Sequence, residues 1–266
     1  MAVTQIGSSS VAAWPSRADQ NSRTTDLPEA HQEPLQGPLS SIASKWPNDL
    51  RQPQRPRRRS ETAPVPCRLP HSCLLEPARL ISMDIETARE LMHEWVQSEA
   101  LRHHMECVAA CMKAAALAVE PDQVDRWVVC GLLHDFDYER HPTEQEHPFV
   151  GLAHLQERGD VDDEILNAIL GHATYSGTPR DTAMARYLFA VDELAGFIVA
   201  CCKVRPGGIS DLAPKSVKKK LKTANFAAAV NRDDIALGVE ELGCDLTEHV
   251  QFCIDALRAD QERLEL

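Results

Sequence analysis

The chain has 266 residues and a formal net charge of −12, and that average conceals two unlike parts. Eleven of the 17 prolines fall in residues 1–82, where ten Lys/Arg face seven Asp/Glu, whereas residues 83–266 carry 18 basic and 33 acidic residues. The acidic part is long enough to bury one substantial core. Its charge argues against a nucleic-acid partner, whose phosphates are neutralised by Lys and Arg, and no run approaches the roughly 18–20 apolar residues of a membrane-spanning helix.

Residues 1–82 are rich in Pro, Ser, Gln and Arg and hold no helical or alternating period, which predicts a disordered leader. Arg55 to Arg59 reads either as a solvated basic run or as a nucleic-acid or targeting patch. The N-terminus lacks the apolar core of a secretory signal, and Asp19, Asp26, Glu29 and Glu33 weigh against a transit peptide. The break in composition also fits Met83 as the natural start, with the leader an over-extended reading frame. Nine cysteines, an odd number without C-x-x-C spacing, suit buried thiols in a reducing compartment. The expectation is a soluble, cytoplasmic protein whose single folded domain spans residues 83–266.

From Asp84 onward the pattern predicts an all-α fold. Asp84 reads as an N-cap before a helix over residues 87–97, and a second helix runs over 98–119 to Glu120-Pro121. Asp122 is the expected cap of a third helix ending at His134-Asp135. Pro148 suits the first turn of a fourth, which ends near Gly159. A fifth covers 162–172, a sixth 181–203, and two or three more fill 215–266.

Several polar residues fall on the apolar stripes of these helices. His104 shares a face with Leu101, Val108, Cys111 and Ala115; His134 lines up with Trp127 and Cys130; and Asp135 joins the adjoining row of Val124 and Val128. His172 aligns with Ile165, Ala168 and Ile169, and Asp192 with Leu188, Ala195 and Val199. A buried carboxylate must be paired, protonated or bound to a metal. Asp135 and Asp192 have no Arg or Lys at helical spacing on their own faces, while imidazoles are at hand. Inward His and Asp residues from four helices make a metal site the economical reading.

The order His104, His134-Asp135, Asp192, with the apolar lead-in of residues 128–133, resembles the HD superfamily of metal-dependent phosphohydrolases. His147-Pro148-Phe149-Val150-Gly151 is similar to the H-x-x-x-G element of its small HDIG-type branch, residues 168–172 to its later histidine, and residues 190–194 to its closing A-x-D-E-L. The likeness extends from about Met83 to near the C-terminus. Two departures stand out: Phe136-Asp137 follows the HD pair where Ile-Gly is the namesake, and a single His172 stands where some dinuclear relatives carry two adjacent histidines.

The resemblance implies an HD-type helical bundle and a metal-dependent hydrolase of a small phosphorylated substrate, a nucleotide or related phosphoester. His104, His134, Asp135 and Asp192 are the implied ligands, a nitrogen and oxygen set that suits Mn, Fe, Co, Ni or Mg better than a closed structural zinc. His147 and His172 either bind a second ion bridged by Asp135 or act catalytically as phosphate contacts or general acid, so one or two ions are expected. Asp137 is read either as a catalytic group orienting water or as an exposed cap. Arg205 and Lys215 lie in the one basic cluster of the acidic part, a solvated face or contacts to the substrate phosphate. His93, His103, His141, His154 and His249 are read as surface or structural residues. Two other functions remain compatible: an HD-type diiron oxygenase, and a non-catalytic nucleotide-binding regulatory module.

Overall fold

The computed structural model describes residues 82–266, so the leader expected over residues 1–82 lies, Ser82 aside, outside the described residues. Among the described residues the regular structure is helical throughout. The α-helices are α1 Ile85–Trp95, α2 Glu99–Val119, α3 Val124–Leu133, α4 Phe149–Arg158, α5 Asp163–His172, α6 Ala183–Lys203, α7 Pro214–Leu221, α8 Arg232–Leu242 and α9 Leu246–Ala259. None is long and apolar enough to cross a membrane.

Local chemistry sets most of the boundaries. Asp84 accepts from Thr87 N at 2.7 Å, Ser98 from Leu101 N at 3.3 Å, and Asp162 from both Glu164 N and Ile165 N. Each cap satisfies amides that the helix itself cannot, typically worth about 1 kcal/mol. The Asp162 carboxylate is also held by the Arg126 guanidinium at 2.7 and 2.8 Å, which ties the start of α5 to α3. Gly159 ends α4 at φ +73°, a left-handed conformation in which a side chain would be strained. The cap expected at Asp122 is not made. Pro121–Gln123 instead form a 3-10 turn, in which Gln123 N bonds Glu120 O, and α3 begins afterwards without a side-chain cap.

The two longest helices, α2 and α6, form the centre. α2 packs on α3, α6 and α9, and α6 packs also on α5 and α8. Two glycines permit close crossings. A Cβ on Gly131 of α3 would lie 2.7 Å from Ala109 Cα on α2, and one on Gly238 of α8 would lie 2.7 Å from Ala190 Cα on α6. Trp127, Phe136, Phe197 and several methionines fill the core. The seven described cysteines are all free, and burial pushes the Cys202 thiol up to about 11. This matches inert core thiols rather than a disulfide framework.

Candidate metal centre

Four helices and one turn bring six side chains together. His104 projects from α2, and His134 caps the end of α3 with Asp135 directly after it. His147 precedes α4, His172 is the last residue of α5, and Asp192 lies in the middle of α6. His134 and His172 share a local device: each ring folds back so that Nδ1–H donates to the carbonyl three residues earlier, Gly131 O at 2.8 Å and Ile169 O respectively. These carbonyls belong to last helical turns, where acceptors are left over. The His147 Nδ1–H donates to Asp137 Oδ1 at 2.7 Å. With Nδ1 protonated, the three rings present their Nε2 lone pairs to the centre.

Asp135 sits between two groups of donors. Its Oδ2 lies 4.0 Å from His104 Nε2 and 3.5 Å from His134 Nε2, while its Oδ1 lies 3.2 Å from His147 Nε2 and 3.1 Å from His172 Nε2. Asp192 Oδ1 completes the first group at 3.0 Å from His104 and 3.4 Å from His134. The carboxylate that resembled a bridge in sequence therefore offers one oxygen to each group. The two sets are His104, His134, Asp135 and Asp192, and Asp135, His147 and His172.

The donor chemistry fits divalent cations. Around an octahedral ion with bonds of about 2.1 Å, adjacent donors stand about 3.0 Å apart and opposite donors about 4.2 Å. The observed separations of 3.0–3.5 Å, with 4.0 Å between His104 and Asp135, follow that pattern. His147 Nε2 and His172 Nε2 approach to 3.3 Å while both Nδ1 atoms hold their protons. Two lone pairs at that distance repel unless a positive charge lies between them.

Electrostatics gives the same picture. Burial is the largest single influence on Asp135 and would raise its pKa, yet the imidazoles of His134, His147 and His172 around it hold it well below the ordinary carboxylate value. Asp192 is likewise held down against burial, by His134 and His104. Burial pushes His172 below the usual imidazole range, whereas in His147 it is outweighed by Asp135 and Asp137, which raise it. The centre is thus a nest of ionised carboxylates that draws positive charge inward. His147 and His172 are almost fully buried, at 0% and 1% exposure, and His104 is the most open of the six.

One sequence expectation needs correction, the exposed-cap reading of Asp137. Asp137 is neither an exposed cap nor aimed at solvent: it is 1% exposed and accepts from His147 Nδ1–H and from Gly151 N, each at 2.7 Å. The side-chain partner of Arg205 is Asp211, outside the cluster. Arg205 follows the end of α6, which at 1.5 Å per residue runs about 16 Å beyond Asp192, and its guanidinium is engaged by Asp211 at 2.9 Å. Lys215 is exposed on α7, roughly opposite the buried Val217 two residues on. The other histidines keep structural places: His103 Nε2 donates to Leu264 O, His249 Nε2 to Ala190 O, and the His154 ring lies 4.8 Å from that of Trp95.

Supporting residues escaped the sequence reading. Tyr175 Oη donates to His147 O at 2.8 Å. Arg180 donates to Gly171 O at 2.7 Å and to both oxygens of Glu241, fixing the end of α5 against α8. Neither sits at a helical spacing that marks it, because both act from the loop after α5. Gly151 closes the H-x-x-x-G element for a visible reason: a Cβ there would come within 2.8 Å of the Asp137 carboxyl.

No curated protein and no solved structure matches the chain. The family model of the HD domain matches residues 101–196, a span that contains all six side chains of the cluster together with Asp137. The match is to the HD domain and is confined to that segment of the chain.

Proposed function

We propose that this chain is a metal-dependent phosphohydrolase of the small HDIG-type branch, acting on a nucleotide or related small phosphoester, with residues 83–266 as the functional unit. The supporting observation is the pair of donor sets that share Asp135, one carboxylate oxygen to each. His104, His134, Asp135 and Asp192 would hold one divalent cation, and Asp135, His147 and His172 a second. When bound, such cations supply Lewis-acid activation of water and of a phosphoryl oxygen.

The chain's own residues do the rest. The carboxylates of Asp135 and Asp192 stay ionised, so they remain donors rather than acids. His134 and His172 are fixed by backbone carbonyls and His147 by Asp137, which holds each ring's proton at Nδ1. This favours His147 and His172 as ligands, because a general acid would need its proton on an Nε2 facing substrate. Burial of those two rings excludes water from the inner side and leaves the His104 side for the substrate phosphate.

The same second set is what an HD-type diiron oxygenase would need, so the test separates the two chemistries. Protein purified without chelator is assayed for metal, against a panel of phosphoesters, and in an oxygen electrode. The expected result is phosphate release without oxygen consumption, lost together with bound metal in Asp135→Ala and His134→Ala. Wild-type activity and metal content in either variant would refute the site, and substrate-dependent oxygen uptake would favour the oxygenase.

A further inference from the structure

The Asp137 carboxylate is 1% exposed and is placed against two donors, one on each oxygen: His147 Nδ1–H on Oδ1 and Gly151 N–H on Oδ2, both at 2.7 Å. The space it occupies is reserved for it, since a Cβ at Gly151 would stand 2.7 Å from Phe136 Cε1 and 2.8 Å from Asp137 Oδ2. Among the three imidazoles whose Nδ1–H partner is identified above, His147 alone is backed by a carboxylate; His134 and His172 are backed by neutral carbonyls. An anion behind an imidazole fixes its tautomer and raises the basicity of the opposite nitrogen. That nitrogen, His147 Nε2, belongs to the smaller donor set, which has three residues where the other has four.

We propose that Asp137 is the positioning residue that makes the second donor set an ion site, and so sets whether this centre holds one cation or two. The inference rests on the metal-centre reading above and assigns the choice between one ion and two to a residue outside both donor sets. The mechanism is a count of acceptors. Two fixed N–H groups demand two acceptor oxygens, and a carboxylate supplies both. An Asn in its place supplies one oxygen and one NH2 group. If its oxygen serves Gly151 N–H, the NH2 group faces His147 and drives the proton from Nδ1 to Nε2, which removes the lone pair from the centre. If the oxygen serves His147, a buried donor opposes Gly151 N–H and the turn carrying His147 shifts. Neither arrangement leaves the second set intact, while His104, His134 and Asp192 are untouched.

The test uses the full chain stripped of metal and reloaded with Mn2+ alone. Ions per chain are counted by elemental analysis, the binding steps resolved by calorimetry, and coupling between two Mn2+ ions followed by electron paramagnetic resonance. Wild type is expected to bind two ions with a coupled signal. Asp137→Asn should lose the coupling and weaken one binding step by about 10–100-fold, with the other step unchanged. His147→Ala, which leaves the Asp137–Gly151 bond in place, should do the same, and the double variant should lose no more than His147→Ala does. The proposal is overturned if Asp137→Asn keeps two ions at wild-type affinity, if both steps weaken equally, or if wild type holds one ion. Should Asp137→Asn fail to fold, His147→Ala retaining two ions overturns it, and His147→Ala reduced to one ion supports it. Two ions in wild type and one in Asp137→Asn, with no phosphoester turned over, would refute the hydrolase reading and leave this one standing.

Discussion

Replacing Gly131 with Ala tests how α2 and α3 set the metal centre. Helix propensity by itself favours the change, since Ala exceeds Gly by about 0.8–1 kcal/mol within a helix. The packing opposes it. The added methyl would meet Ala109 Cα at 2.7 Å and Ala109 N at 2.9 Å, both rigid backbone atoms, where ordinary contact begins near 3.4 Å. The helices must separate by about 0.7 Å at this level, and overpacking of this kind costs about 1–3 kcal/mol. Contact with two rigid backbone atoms puts the cost in the upper part of that range, about 2–3 kcal/mol. After about 0.8–1 kcal/mol of propensity, the net loss is about 1–2 kcal/mol, a fall in Tm of roughly 2–8 °C for a domain of this size. The strain falls near the site, because His104 lies five residues before Ala109 and His134 three after Gly131, with their Nε2 atoms 3.3 Å apart. Widening that gap exceeds the roughly 0.5 Å tolerance of a preorganised site, so affinity for Mn2+ should fall as well. Circular dichroism melts of chelator-stripped and Mn2+-loaded protein measure both effects. A stripped variant as stable as wild type, or more so, would refute the packing argument.

Glu106 supplies a pH test. It joins Arg89 of α1 to Arg263 of the C-terminal segment, and although burial, the strongest influence, raises its pKa, the two guanidinium groups hold it below its ordinary value of 4.5. A depressed folded pKa means stability that is present above about pH 4.5 and lost as pH falls through the folded value. Glu106→Gln should therefore flatten the acid limb of the Tm–pH curve and cost about 1.5–3 kcal/mol at neutral pH; an unchanged acid limb would refute the assignment. Arg205→Ala and Lys215→Ala should leave phosphoester hydrolysis within about twofold of wild type. A larger loss in kcat/KM would place one of them at the substrate after all.

The helices and their inward polar residues were readable from the sequence because both depend on local order. Caps such as Asp84, Ser98 and Asp162 act within three residues, so composition at the boundary is enough to find them. The inward direction of His104, His134, Asp135, His172 and Asp192 follows from the 3.6-residue period and from the cost of burying an unpaired carboxylate. Asp122 failed as a cap because it lies inside the 3-10 turn of Pro121–Gln123, and α3 starts only after that turn, a displacement that residue preferences do not settle.

Tertiary structure determined what joins residues distant in the chain. Periodicity places a side chain on a face but not at a distance, so it could not give Asp135 one oxygen toward His104 and His134 and the other toward His147 and His172. The same limit misplaced Asp137, which lies in a turn without a period and whose partners are 10 and 14 residues away. It also left Arg205 and Lys215 open as phosphate contacts, since charge type is local while the 16 Å or so that α6 runs on from Asp192 is not. The sequence alone determined which residues had to be buried together. The close crossing of α2 and α3 at Gly131, the loop anchored by Arg180, and the carboxylate behind His147 decided how they meet, because those distances arise only when the helices pack.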